Sequence, residues 1–347
     1  MTGIFTVQAG HRVGAVVIGR NEGERLKASL RSLQGIGPIV YVDSGSTDGS
    51  QAFARSIGVQ VVDLAVPPNF TAARARNAGV AALVSGAPDL ALVQFVDGDC
   101  EVKRGWIAAG AAALENEEEL AAVFGRLRER DTARSIYNAL CDHEWNVPVG
   151  EVSQCGGNVM MRLSAFAEAG GFEESMIAGE EPDLSARLRK RGWRLRRIDA
   201  DMALHDAAIT HFGQWWKRTR RSGHAYAELA HRHPASRKPD WRRTCRRILL
   251  WGGILPAVLL ASLLLSLFLN PTWLAVSAAT LGLAIVNMVR LRQQERRRGL
   301  PPRLAFIAGA LLVIGKAPQF LGLVAFHWNR LSGRRSRLIE YKGPAAA

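Results

Sequence analysis

From Ile248 to Leu269 the chain reads ILLWGGILPAVLLASLLLSLFL, 22 residues without a charge. After Asn270-Pro271, Thr272 opens a second uncharged run of 18, TWLAVSAATLGLAIVNMV, ending at Val289. Each approaches the roughly 20 apolar residues that cross a bilayer as a helix. The chain therefore has to be read as two materials: a globular part over 1–240 and a membrane region over 241–347. The predicted spans are 248–269 and 272–289. A third apolar stretch, 304–327, is interrupted by Gly315-Lys316-Ala317-Pro318 and reads as a re-entrant or interfacial segment broken at Pro318.

Charge orients this region. The net +14 gathers at its edges: Arg242, Arg243, Arg246 and Arg247 precede the first span, Arg290, Arg292, Arg296, Arg297 and Arg298 follow the second, and Arg330, Arg334, Arg335, Arg337 and Lys342 close the chain in a basic tail. The positive-inside rule puts all three flanks on the cytoplasmic side and makes the spans an out-and-back hairpin. Anionic lipids account for the basic clusters, and Trp215, Trp216, Arg218, Arg220 and Arg221 fit the same interface. No nucleic-acid-binding motif accompanies them, so nucleic acid is excluded as a partner. The first twelve residues hold no apolar core of signal-peptide length, so the globular part is expected in the cytosol. Cys100, Cys141, Cys155 and Cys245 have no metal-ligand spacing and read as reduced and structural.

In the globular part, short aliphatic runs (Val13–Ile18, Ile39–Val42, Val59–Leu64, Leu90–Val96) alternate with helical patterns over Glu22–Leu33, Ser50–Ile57 and Ala72–Val84. That alternation predicts an α/β fold, a mostly parallel sheet with helices on both faces. Beyond Asp99 it loosens: a helix near Ile107–Leu120, a strand at Ala122–Phe124, an irregular stretch to Gly157, a strand at Asn158–Met161 and a later one at Leu195–Ile198. Neither GxGxxG after the first strand nor GxxxxGK[ST] occurs, which removes the main support for dinucleotide enzymes and P-loop NTPases.

Three stretches can carry chemistry, and each has a plain alternative. Tyr41–Ser50, YVDSGSTDGS, ends a strand in small and acidic residues at the rim where open α/β sheets bind ligands; by itself it is equally a turn with Asp48 or Ser50 capping the next helix. Asp97-Gly98-Asp99 offers two carboxylates that can face one hard cation, or a simple Asp-Gly turn. Ala178–Trp193, AGEEPDLSARLRKRGW, places Glu180 and Glu181 at a helix start, where the macrodipole favours an ionised carboxylate. Such a group can serve as a general base for a hydroxyl, or as ordinary helix-end electrostatics.

The order of motifs resembles a known family. VVIGRNEGERL (Val16–Leu26), VDSGSTDGS (Val42–Ser50), ARNAG (Ala75–Gly79), FVDGDCEV (Phe95–Val102), GGNVMMR (Gly156–Arg162) and GGFEESMIAGEEPDLSARLRKRGW (Gly170–Trp193) together resemble family 2 glycosyltransferases of the GT-A fold, in a membrane-anchored bacterial form. The resemblance implies a Rossmann-like catalytic domain with C-terminal transmembrane helices. It implies nucleoside contacts at Asn21, Glu22, Asp43 and Ser44, diphosphate and ribose contacts at Arg76 and Asn77, and a Mg²⁺ or Mn²⁺ ion at Asp97 and Asp99 with His205 nearby. Asp97 also falls among the donor-binding positions. Gly157 and Asn158 fall where donor sugar and acceptor meet. Glu181 falls where the catalytic base stands, with Glu180 adjacent because the family's usual Glu-Asp is Glu-Glu here. Asp43-Ser44 replaces the more usual pair of Asp residues, and Gln214-Trp215-Trp216-Lys217-Arg218 does not match the Gln-x-x-Arg-Trp of processive synthases.

The resulting expectation is an inverting glycosyltransferase at the bacterial inner membrane, multi-pass, with its catalytic domain in the cytosol. It takes a sugar from a nucleotide diphosphate, a UDP-sugar by preference, to the hydroxyl of a lipid-linked glycan, in exopolysaccharide or cell-envelope synthesis. The alternatives are an enzyme charging polyprenyl phosphate, which needs no base, and a non-catalytic membrane scaffold.

Overall fold

A computed structural model describes residues 13–65 and 70–334. The reading of the first twelve residues and the tail residues Arg335, Arg337 and Lys342 lie outside them. The described residues form two compact units. One holds the residues up to Ala133 and Glu144–Ala208; the other holds Arg134–His143 and the residues from Ile209 onward. That division falls N-terminal to the boundary at 240 that composition indicates.

The first unit is built on one mixed sheet. Its strands are β1 (Val13–Gly19), β2 (Ile39–Asp43), β3 (Gln60–Asp63), β4 (Leu92–Asp97), β5 (Cys100–Val102), β6 (Leu120–Glu129), β7 (Gly150–Glu151), β8 (Val159–Arg162) and β9 (Arg194–His205). They lie in the order β3-β2-β1-β4-β8-β6-β9-β5, with β7 beside β9. The first four neighbours are all parallel. β8 is antiparallel to both β4 and β6, so β6 again runs with β4, and β9 runs with β6.

Alternation along the strands divides the core in two. Val16, Val42 and Phe95 face a layer that contains Leu83, Phe166, Phe172, Leu184 and Leu188. Ala15, Val17 and Val96 face the other, with Leu26, Leu30, Trp106 and Leu114. The helices supplying side chains to these layers are α1 (Glu24–Ser32), α2 (Ser50–Ser56), α3 (Ala72–Gly86), α4 (Trp106–Asn116), α6 (Leu163–Glu168) and α7 (Glu180–Lys190), whereas α5 (Ile136–Trp145) contributes to neither and falls mostly in the second unit. The stretch expected to be irregular before Gly157 contains α5. The expected strands at 122–124 and 195–198 extend to the whole of β6 and β9.

Register decides where the site lies. Gly19 pairs with Asp43 and Ile18 with Asp97, so three parallel strands end level and deliver Asn21, Asp43 and Asp97 to one rim. Glu129 pairs with His205 at the ends of β6 and β9.

In the second unit, α8 (Phe212–Arg232) is followed by α9 (Trp241–Leu249), a π-helical turn at Leu250–Ile254, α10 (Leu255–Phe268), α11 (Leu274–Arg297), α12 (Pro302–Ile314) and α13 (Lys316–Leu331). Three continuous helical stretches are long and apolar enough to cross a membrane: Trp241–Phe268, Pro271–Arg297 and Pro302–Leu331. The expected break at Pro318 is not there. Pro318 sits in the first turn of α13, where a missing N–H costs little, and the interruption falls at Gly315. Close backbone approach explains several glycines. A Cβ at Gly223 would strike the Gln319 backbone and one at Gly322 the Arg220 backbone, so α8 and α13 meet through glycine. Ser262 and Ser277 share a 2.8 Å hydroxyl hydrogen bond that joins α10 to α11.

Candidate functional site

Asp43 closes its own turn. Its Oδ2 accepts from the backbone N–H of Gly45 (2.8 Å) and Ser46 (2.7 Å) and from Gln51 Nε2 (2.8 Å), and its Oδ1 accepts from the Tyr41 hydroxyl at 2.7 Å. Burial first, and the Asp43 carboxylate second, push the Tyr41 hydroxyl's pKa up, so it stays a donor. Asn21 holds the neighbouring loop from a left-handed conformation, φ 54°. Its side chain accepts from Thr47 N–H at 2.8 Å and its own N–H donates to Ser46 Oγ at 2.9 Å. Asp48 accepts from Ser50 N–H and Gly23 N–H. A turn is thus the observed local structure, with Gly49 and not Asp48 or Ser50 at the N-cap of α2, and it fixes the rim on which Glu22 and Ser44 stand.

The centre of the site is Arg76. From the second turn of α3 its guanidinium lies 3% exposed among three carboxylates. Nη2 donates to Asp97 Oδ1 at 2.9 Å, Nη1 to Glu180 Oε1 at 2.9 Å, and Glu181 Oε1 lies 3.5 Å from Nη1. Burial alone would lower the guanidinium pKa. Asp97, Glu181 and Glu180 outweigh it, so the net direction is upward and Arg76 stays charged. Glu180 is buried, whereas the Glu181 side chain is 20% exposed. Desolvation first, then the Glu180 carboxylate, push Glu181 up to about 7, against the opposing pull of Arg76. A carboxyl that titrates near neutrality at the start of α7 is matched to taking a proton from a hydroxyl.

Gly157 lets this happen. A Cβ there would collide with Arg76 Nη2 and sit 3.1 Å from Glu181 Oε1. Gly157→Ala is expected to cost about 1–3 kcal/mol of stability through this overpacking, as read by thermal unfolding. Asn158 clasps Asp97 from the other side: Asp97 N–H donates to Asn158 Oδ1 at 3.0 Å, and Asn158 Nδ2 to Asp97 Oδ2 at 3.2 Å. Asn77 faces away from this cluster. It accepts from Phe172 N–H at 2.9 Å and donates to Phe172 O at 2.8 Å, bracing the loop before α7.

Asp99 lies beside His205, with Oδ2 to Nε2 at 3.3 Å. His205 Nδ1 is buried and meets no hydrogen-bond partner among the described residues. Ligand atoms of Asp99, Cys100 and His205 all fall within 4.8 Å of one another, and this donor set fits a divalent ion. Asp97 is not among the three. Sequence reasoning missed Glu129, which accepts from Ala207 N–H at 3.0 Å and from Asp131 N–H at 3.2 Å and so holds the turn after His205. It also missed Tyr41 as the donor to Asp43. Glu129 carries no motif and acts through the pairing of β6 with β9, while Tyr41 reaches Asp43 two residues along β2.

Two family models match the chain: glycosyl transferase family 2 over residues 15–167 and glycosyl transferase family group 2 over 122–291. Among curated proteins, a pre-mycofactocin glycosyltransferase of Mycobacterium tuberculosis is 30% identical over 270 residues, 73% of this chain and 53% of its own length. The succinoglycan biosynthesis protein ExoA of Rhizobium meliloti is 28% identical over 186 residues, 51% of this chain and 55% of its own. The chain thus spans about half the length of these relatives. The mannosyltransferase PcManGT from Pyrobaculum calidifontis, solved with GDP-Man and Mn²⁺, superposes with a TM-score of 0.58 over 93% of this chain and 89% of that one, at 17% identity, a likeness of fold. Motif order, sheet topology and the two family models agree: the chain carries glycosyltransferase family 2 domains over residues 15–291, and its first unit has the GT-A fold.

Proposed function

We propose that this glycosyltransferase moves a sugar, with inversion, from a nucleotide diphosphate to a hydroxyl of a lipid-linked acceptor at the cytoplasmic face of the bacterial inner membrane. The observation that carries this reading is the Arg76 cluster, which sets a carboxyl titrating near 7 beside the Asp97 that also faces the donor rim. Glu181 takes the acceptor proton as the acceptor oxygen bonds to the anomeric carbon. The bond from that carbon to the diphosphate oxygen breaks, and its electron pair leaves on the nucleotide diphosphate. Glu180, held by Arg76, is the partner that positions the cation, which assigns the base to Glu181 of the two. Asp99 and His205 would hold Mg²⁺ or Mn²⁺. When bound, such an ion offsets the charge developing on the leaving diphosphate.

Asn21, Glu22, Asp43 and Ser44 line the nucleoside end of the rim in this reading, Asn77 braces the loop that carries Phe172, and Gly157 and Asn158 border the sugar. The resemblance to a succinoglycan biosynthesis protein supports a glycan product in exopolysaccharide or envelope synthesis. A UDP-sugar remains the first donor to try. The three apolar helices and the arginines flanking them support attachment to an anionic membrane.

A thermal-shift screen of UDP- and GDP-sugars with and without Mn²⁺ tests the donor side, because a ligand bound only by the folded state raises its stability. A metal-dependent shift for one donor is expected, lost in Asp99→Asn and in His205→Ala. Donor shifts that ignore the metal, or that survive both substitutions, would refute the assignment of Asp99 and His205.

A further inference from the structure

Cys100 follows Asp99 directly, and the fold brings its thiol to the same place. Cys100 opens β5 and pairs with His205 of antiparallel β9. Directly paired residues put their side chains on one face of the sheet, with Cβ atoms about 5 Å apart. The Cys100 thiol donates to Asp99 Oδ1 at 3.5 Å, while His205 Nε2 stands 3.3 Å from Asp99 Oδ2. All three groups are sheltered from water: Cys100 is 0% and Asp99 4% exposed, and the His205 side chain 13%.

We propose that Cys100 is a third protein ligand of the divalent ion held by Asp99 and His205, so that the centre is a mixed oxygen, nitrogen and sulfur site. The inference rests on the reading above that Asp99 and His205 bind an ion. A buried cysteine is ordinarily a packing residue, and Cys100 does contribute to the core layer around Leu26 and Trp106. What sets it apart is a carboxylate and an imidazole that converge on its sulfur within 4.8 Å.

The arrangement is already built. Asp206 N–H donates to Asp99 O at 3.1 Å, tying the two strands at the level of the site. The Trp145 ring packs edge-on against His205 with centroids 4.5 Å apart, which fixes the imidazole plane. When an ion binds, the Cys100 Sγ–H bond breaks, the proton passes to solvent, and sulfur donates its electron pair to the metal; nothing is oxidised or reduced. A carboxylate, an imidazole and a thiolate make a donor set that favours Zn²⁺, Co²⁺ or Cd²⁺ over Mg²⁺. Zinc-class ions are therefore tight competitors for the position of Mn²⁺. Cys155 and Cys245 lack this company: the Cys155 thiol lies beside Ser185 and the Cys245 thiol donates to Tyr226 O.

The test uses the full chain in detergent, stripped of metal and titrated with Cd²⁺ under ultraviolet absorption, with Mn²⁺ binding followed separately by electron paramagnetic resonance. A sulfur-to-cadmium charge-transfer band that saturates at one equivalent is expected. It should vanish in Cys100→Ser and persist in Cys155→Ser and Cys245→Ser. If Cys100→Ser does not fold, cadmium NMR of the wild-type protein decides, since a sulfur-bound ion resonates apart from one bound only by oxygen and nitrogen. A wild-type protein that binds Mn²⁺ but shows neither the band nor the sulfur-type resonance would overturn the Cys100 ligation alone. Failure to bind Mn²⁺ at all would overturn the underlying metal site with it.

Discussion

Glu181→Gln is expected to lower kcat by roughly 10²–10⁴-fold and to leave the fold intact. Glutamine keeps the shape of the side chain and removes only its capacity to accept a proton. The wild-type rate should rise with pH through an apparent pKa near 7 and then level, because the base acts only when ionised and its carboxyl is pushed up to about 7. The groups facing it are Arg76 at 3.5 Å, which favours ionisation, and the carboxylates of Glu180 and Asp97, which oppose it. The same shift has a sign in stability. An acid raised from its ordinary 4.5 contributes fully while it is protonated, below pH 4.5, and that contribution is lost as pH rises through 7. Across that window the cost of ionisation grows by at most about 1.4 kcal/mol per pH unit. Glu181→Gln should therefore melt higher than the wild type at pH 8, with the difference fading toward pH 5. A variant that is inactive yet more stable at alkaline pH marks a group held under strain for its chemistry. A wild-type rate in Glu181→Gln would remove the base from the account and favour an already ionised acceptor such as a polyprenyl phosphate.

Arg76→Ala is expected to do more damage to the fold than any change at the rim. It would leave Glu180, which is buried, Asp97 and Glu181 without their common cation. Removing one partner of a buried ion pair costs about 3–5 kcal/mol, and here three carboxylates lose it together. Chemical denaturation at pH 8 should show the loss, and lowering the pH should restore part of it as the carboxylates protonate. Arg76→Lys separates folding from positioning. Lysine keeps the charge but lacks the planar fork that reaches Asp97 and Glu180 from two nitrogens. The expected outcome is a folded protein whose acid limb has moved above 7, since the ammonium holds Glu181 less closely. An unchanged limb in a folded Arg76→Lys protein would show that Arg76 does not position the base.

Part of this was legible in the chain. The aliphatic runs at 13–18, 39–42 and 90–96 announced β1, β2 and β4, because strands buried on both faces are apolar throughout. The uncharged stretches from Ile248 announced the long apolar helices α10 and α11 in the same way. The motifs of the rim stood in order, and Asp99 and His205 do meet. The sequence hid what depends on partners far away in the chain. Arg76 sits in a motif, yet nothing in ARNAG says that its charge joins Asp97 to residues more than a hundred positions on. Asn77 in that motif faces Phe172, because the loop before α7 needs its backbone groups satisfied. The Tyr41–Ser50 stretch looked like a ligand turn, and its Asp43 proves to be occupied by its own loop. β9 was read at a third of its length because ArgLeuArgArgIleAspAlaAsp alternates weakly and shows its strand character only beside β6. The helix after Gly315 was misread for a simpler reason: a proline in a first turn and one in mid-helix look alike until the preceding residues are seen.

The central claim is a division of labour across Arg76: donor and metal on the side of Asp99, acceptor proton on the side of Glu181. Calorimetry of a nucleotide-sugar donor with Mn²⁺, on the full chain in detergent, tests it most directly. The account expects Glu181→Gln to bind the donor as the wild type does and Asp99→Asn to lose the metal-dependent heat. Donor binding abolished by Glu181→Gln, or untouched by Asp99→Asn, would contradict it.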